Sequence, residues 1–113
     1  MQNDMALDII YKVKADFLRS LSHPVRLKII EALKRGEKSV GVLVIELGVQ
    51  QSSLSRHLIA LRDAGILKSR HQRTTVYYSI KDSEIFQVLR PVAVVLRKKF
   101  RQSESFLKTL GKG

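Results

Sequence analysis

Apolar residues recur at helical spacing along most of this chain. Ile9, Ile10, Val13, Phe17 and Leu21 fall three or four residues apart, which predicts a first helix over residues 5–21. The SHP triplet at 22–24 reads as a helix start: a polar cap, then a proline whose missing N–H costs nothing in a first turn. Val25, Leu27, Ile30 and Leu33 carry a second helix, which Gly36 ends. Ser39 opens a short third helix with Val40, Leu43, Val44 and Leu47 on one face, and Gly48 closes it. A fourth helix starts near Gln51, with Leu54, Leu58 and Leu61 as its inward stripe and Gly65 as its terminator.

The period then changes. Residues 66–70 and the TVYYSI run at 75–80 read as strands, the second with Val76, Tyr78 and Ile80 alternating, and HQRT at 71–74 as the polar turn between them. Asp82 caps a last helix with Ile85, Leu89, Val92 and Leu96 inward, which Pro91 is expected to kink or break. The whole is one domain over residues 1–113, mainly α with a small β-hairpin. Two short helices joined by a tight Gly48–Val49–Gln50 turn, then a hairpin, make a winged helix-turn-helix: about five helices plus a two-stranded wing.

One feature of the fourth helix does not serve burial. Its opening turns, QQSSLSRH, are polar. Such residues are ordinarily caps and solvated surface, but the net charge changes the weighting. Twenty-one Lys and Arg against ten Asp and Glu leave +11, with a pI near 10.4. So large an excess implies an anionic partner: double-stranded nucleic acid first, an anionic membrane surface second. With the leucines inward, Gln51, Ser52, Ser55 and Arg56 point outward, flanked by Gln50 and Ser53. Glutamine pairs with adenine and arginine with guanine in a major groove. Arg70, His71, Gln72 and Arg73 sit on the wing, within reach of the DNA backbone or minor groove. His57 has two readings, a phosphate contact or a half-buried packing residue. His23 reads as a capping or packing residue, and Tyr77 and Tyr78 as wing packing.

The chain has no cysteine, which excludes disulfides, thiolate metal sites and cysteine redox sensing. Its longest purely apolar run, Val92 to Leu96, is far short of a membrane span. The opening MQNDMALDII has no basic region ahead of its apolar residues, so no signal peptide is expected and the cytoplasm is the expected location. No nucleophile elbow, phosphate-binding glycine loop or carboxylate pair points to an enzyme or a cofactor. Ser55 and His57 lie two apart on a helix and face different ways.

Three runs carry a resemblance: LSHPVRLKIIEAL (21–33), VGVLVIELGVQQSSLSRHLIALRDAGIL (40–67) and VYYSI (76–80). In this order and spacing, the stretch from about Phe17 to Leu89 resembles the ArsR/SmtB family of bacterial and archaeal winged-helix repressors. The resemblance implies a symmetric homodimer built through the first and last helices. It implies a recognition helix at about Gln51–Ala64, and repression relieved by an effector.

The chain departs from that family where its members sense metals. Ser39 and Gly41 stand where relatives carry cysteines at the start of helix three. Asp82, Glu84, Val95 and Lys98 stand at the last-helix site, and a valine and a protonated lysine cannot complete a zinc shell. Control is therefore expected from a small-molecule effector, a protein partner or concentration. Gln50 replaces the usual serine cap and caps poorly. Arg73 replaces a common wing glycine, so the turn is expected to take another shape that avoids positive φ. Val42 and Ile45 give helix three an apolar outer face, either packed on the N-terminal helix or its dimer mate, or open to an apolar effector or partner. The basic tail over 97–113 (Arg97, Lys98, Lys99, Arg101, Lys108 and Lys112 against Glu104) reads as a solvated helix end, with added phosphate contact as the alternative. The leading function is a DNA-binding repressor on an inverted repeat. The alternative is a winged-helix protein–protein module with weak or vestigial DNA binding.

Overall fold

The computed structural model of the chain describes residues 2–101 and 108–111, with side chains from Asp4 onward. Lys112 and Glu104 of the basic tail lie outside the described residues. Contacts divide the chain into two compact units, residues 1–81 and 82–113.

The first unit runs α1 (Gln2–Leu21), α2 (Pro24–Ala32), β1 (Lys38–Ser39), α3 (Val40–Leu47), α4 (Gln51–Asp63), β2 (Leu67–Gln72) and β3 (Thr75–Ile80). The predicted caps are in place. His23 is the N-cap of α2, its Nδ1 accepting from the Val25 N–H at 3.3 Å, with Pro24 in the first turn. The Ser39 Oγ accepts from the Val42 N–H at 3.2 Å and caps α3. Helix α4 ends in a Schellman pair: Gly65 N–H donates to the Arg62 carbonyl and Ile66 N–H to that of Leu61, with Gly65 at φ 80°.

Leu54, Leu58 and Leu61 are fully buried, as are Leu43 of α3 and Ile29 of α2. Helix α4 packs on α1, α2, α3 and β2, so its leucine stripe is the centre of this unit's core. One residue of α2 departs from the sequence reading. Leu27 is 44% exposed, and Ile29 takes its place. Ile29 lies four residues from both Leu33 and Val25, whereas Leu27 is turned away from that stripe.

The wing carries a strand that the sequence reading lacked. Residues Lys38 and Ser39 pair antiparallel with β3, giving a three-stranded sheet in the order β1-β3-β2. Two residues leave no hydrophobic period to read. Strand β3 keeps its expected bounds, while β2 runs two residues further, to Gln72. Gln72 pairs with Thr75, so the turn is not HQRT but only Arg73 and Thr74.

Most apolar residues of α1 are uncovered. Met5, Ile9, Ile10, Val13 and Leu18 are exposed, and only Leu21 at the helix end is buried.

The second unit opens with a tight turn in which Asp82 Oδ1 accepts from the Glu84 N–H at 3.0 Å. The carboxylate thus caps this turn, and helix α5 (Ile85–Lys99) begins one step later. Pro91 does not break α5. The helix continues through it, forgoing one backbone hydrogen bond. Val92, expected inward, is half exposed and joins Val88 and Val95 in an open apolar stripe.

The burial pattern sets a stability contrast. Leu58→Ala is expected to cost about 2–5 kcal/mol in urea or guanidinium unfolding, and Leu27→Ala less than about 1 kcal/mol. Equal losses would place Leu27 in the core.

Candidate nucleic-acid interface

Gly48 sits in the left-handed region, φ 62°, and its N–H donates to the Val44 carbonyl. That geometry stops α3 abruptly and lets the chain restart as α4 within two residues. Gln50 occupies the N-cap of α4 without a side-chain bond, as its residue type predicts. No side-chain cap therefore shields the first N–H groups of α4, at the positive end of the helix dipole.

From that end outward, Gln51, Ser52 and Arg56 are exposed, and Ser53 and Ser55 are half-buried. A shallow cleft of about 390 Å³ is lined by Ser39, Val40, Gly41, Gln51, Ser55, Thr74, Thr75 and Val76. The front of α4 and the tip of the wing thus open on one space. Four residues here were absent from the sequence-based set. Thr74 and Thr75 join through the short turn. Ile59, 42% exposed, and Arg62, which pairs with Asp63 at 3.5 Å, continue the outward face of α4. Their spacing from Ser55 and Arg56 was the available signal.

Arg73 has φ 58°, so the expectation of a turn avoiding positive φ is corrected. Thr74 does not share that sign, and a two-residue loop between twisted strands requires a positive φ at its first position. Arg73 is exposed and forms no ion pair among the described residues. His71 and Gln72 are exposed as well.

Arg70 is otherwise engaged. Its Nε donates to both carboxylate oxygens of Glu37, at 3.0 and 2.9 Å, its Nη2 donates to Glu37 Oε1, and its Nη1 donates to Gln72 Oε1 at 3.0 Å. The guanidinium lies 4.3 Å from the Tyr77 ring centroid. The arginine's hydrogen bonds hold the Glu37 carboxyl below the usual carboxylate range and, reciprocally, push the Arg70 guanidinium up. Arg70 therefore already has an anion, and the sequence-based assignment of it to DNA is not what its geometry favours.

His57 resolves toward packing. It is half-buried, its Nδ1 accepts from Arg26 Nε at 3.2 Å, and its ring centroid lies 4.1 Å from that of His23. Arg26 in turn donates to the Ser20 carbonyl at 2.9 Å, tying α1, α2 and α4 together. The Nδ1 of His57 is occupied from within the fold, which leaves Nε2–H as the nitrogen that would meet a phosphate. Burial lowers the His57 pKa, and the nearby charges of His23, Arg26 and Arg56 lower it further.

Val42 and Ile45 are 42% and 83% exposed, so neither is packed away within its own chain. Lys38, by contrast, is paired with Glu46 at 2.7 Å. Among the described residues no three His, Cys, Asp or Glu side chains gather as a metal site, and no helix is long and apolar enough to cross a membrane. Ser39, at the position of the family's cysteine site, is a helix cap here.

This arrangement is that of a winged helix-turn-helix domain. The family model for bacterial regulatory proteins of the arsR family matches residues 23–69. An HTH-type transcriptional regulator of Mycobacterium tuberculosis, Rv0081, is 34% identical over 110 residues, 96% of each chain. Its crystal structure superposes with a TM-score of 0.73, covering 82% of this chain and 94% of that one. The biofilm growth-associated repressor of Xylella fastidiosa is 33% identical over 79% of this chain and 78% of its own. A homodimeric winged helix-turn-helix DNA-binding domain from Mycobacterium bovis shares the fold, with a TM-score of 0.71 at 24% identity over 86% of this chain and 90% of that one. The chain belongs to the arsR family, and is a DNA-binding transcriptional regulator.

The His57 cluster fixes a pH response. The unfolded chain takes up a proton near the ordinary histidine value of 6.5, while the folded chain resists it. Below that value the unfolded state holds more protons, so stability falls as pH falls through the histidine range. Thermal melts between pH 7.5 and 5.5 are expected to show this slope, and His57→Phe to lessen it. A variant with an undiminished slope would place the titration elsewhere.

Proposed function

We propose that this chain is a homodimeric repressor that binds an inverted-repeat operator in the cytoplasm. The observation that carries the reading is the shared cleft between the exposed front of α4 and the wing tip, in a chain of net charge +11. Gln51, Ser52, Ser55 and Arg56 are the base-reading candidates. Gln50, Ser53, His71, Gln72 and Arg73 supply backbone and minor-groove contacts. Arg62 and Thr74 extend the set.

Two uncovered apolar surfaces support dimerisation, α1 with Ile9, Ile10 and Val13, and α5 with Val88, Val92 and Val95. The homodimer of the M. bovis domain supports it at the level of the fold. Two copies related by a twofold axis present two recognition helices to half-sites about one or two helical turns apart. Control through metal or thiol is disfavoured by the side chains at the family's sensor positions: Ser39, Gly41, Val95 and Lys98. The exposed Val42–Ile45 face of α3 gives an apolar effector or a protein partner a place to bind.

The test is a binding titration against the DNA upstream of the chain's own gene, with unrelated competitor, over a range of salt. Specific retention with a steep salt slope is expected. Arg56→Ala should cost about 1–3 kcal/mol and relax preference at one base pair. Arg73→Ala should weaken all sequences alike and flatten the slope by about one. Weak binding that competitor DNA abolishes would favour the protein–protein module instead.

A further inference from the structure

The outer face of the wing carries an assembly that the DNA-binding reading leaves unused. Glu37 lies immediately ahead of β1, and Arg70 lies on β2. The strand order β1-β3-β2 places them on opposite edges of the sheet, with β3 between. Neighbouring strands are about 4.8 Å apart, so the two backbones are separated by about twice that. The long side chains close the gap over the Tyr77 ring of the middle strand.

The face on which this happens follows from the register. Tyr78 and Leu67 are buried on the core side, and Val76, two residues from Tyr78, lines the cleft beside Gln51 and Ser55. Tyr77 alternates to the other side, and Arg70 is its direct cross-strand partner. The guanidinium therefore stands on the face of the sheet away from Tyr78 and Leu67, and Arg70 is not among the residues that line the cleft. Its edge toward Glu37 is filled by two carboxylate oxygens, the geometry a phosphate would otherwise offer. A second edge, through Nη1, is held by Gln72, next to the turn. Each contact joins parts of the wing to one another.

We propose that Glu37, Arg70 and Tyr77 form a strut across the wing, and that Arg70 is a positioning residue for the hairpin rather than a phosphate contact. The strut fixes the hairpin that carries Arg73, so the wing tip meets DNA already ordered. Glu37 acts only through Arg70. The inference rests on the wing touching DNA.

The experiment measures anisotropy of a labelled duplex of about 30 mixed-sequence base pairs with the full chain, at several salt concentrations. Wild type, Arg70→Gln, Glu37→Gln/Arg70→Gln and Arg73→Ala are compared, with melts to confirm that each is folded. Arg70→Gln is expected to weaken binding by a constant factor, on the order of fivefold, at every salt concentration, with the slope unchanged because a lost strut costs preorganisation and no ion contact. The double variant should match Arg70→Gln within about twofold, since both changes remove one contact. Arg73→Ala should flatten the slope by about one.

A slope flattened by about one in Arg70→Gln would put Arg70 on phosphate and overturn the proposal. So would an Arg70→Gln variant that binds as wild type does. A double variant that binds more tightly than Arg70→Gln would make Glu37 a repulsive charge instead of a strut. A wild-type chain with no salt-dependent binding would fail differently, removing the DNA-binding reading itself.

Discussion

Everything the molecule presents to a partner depends on three leucines facing inward. Leu54, Leu58 and Leu61 are fully buried, and they lie on one stripe of α4. Turning the helix by a single residue would swing it about 100° and bring these side chains into water. Each such loss costs about 2–5 kcal/mol, so together they exceed what a small domain has in reserve. The helix is consequently locked about its own axis. Gln51, Ser52, Arg56 and Ile59 are exposed because of where the leucines are, not through any preference of their own. Gly48 and the Gly65 Schellman turn fix the two ends of the helix, so its length and rotation are both set before a ligand arrives.

That constraint is also what made the recognition helix legible. A stripe at 54, 58 and 61 with a glycine at either end can be read from residue types alone. The wing was legible as a hairpin for a similar reason, since Val76, Tyr78 and Ile80 alternate. Elements without a period were not. Lys38 and Ser39 form β1 because β3 has an edge to pair, and two polar residues cannot announce that. Leu27 and Ile29 lie close enough in sequence for a helix to bury either, and the facing helices decide between them. Val92 shares a helical spacing with Ile85, Leu89 and Leu96, but it also lies on the face of Val88 and Val95, and its exposure follows that second face: Ile85 is buried and Leu89 and Leu96 are half-buried, while Val92 is half exposed.

Charged residues were harder to place than apolar ones, and Arg70 and His57 show why. A basic residue in a basic protein looks available for an external anion. Arg70 instead meets Glu37 at a separation of 33 residues, and His57 meets Arg26 at 31. Such pairs exist only once the fold brings distant segments together. No local spacing reports them, so the sequence assigned those side chains to a ligand by default. Positive φ at Arg73 was missed for a different reason. The two-residue loop imposes the conformation, and the cost to a non-glycine residue is small enough for the surrounding strands to bear.

The two kinds of positive charge on this chain therefore do different work. The net +11 acts at a distance, raising the encounter rate with any polyanion and fading as salt shortens the Debye length. It confers no register, because it is spread over the whole chain. Register needs cations held at fixed positions with no internal partner, and within the cleft region Arg56 and Arg73 meet that description among the described residues. Arg70 and Lys38 carry the same formal charge but are committed to Glu37 and Glu46. A count of basic residues thus overstates the contacts the domain makes with DNA. On the proposed function, the steepness of the salt dependence follows the cations that the fold leaves unpaired beside α4 and the wing tip, Arg56 and Arg73.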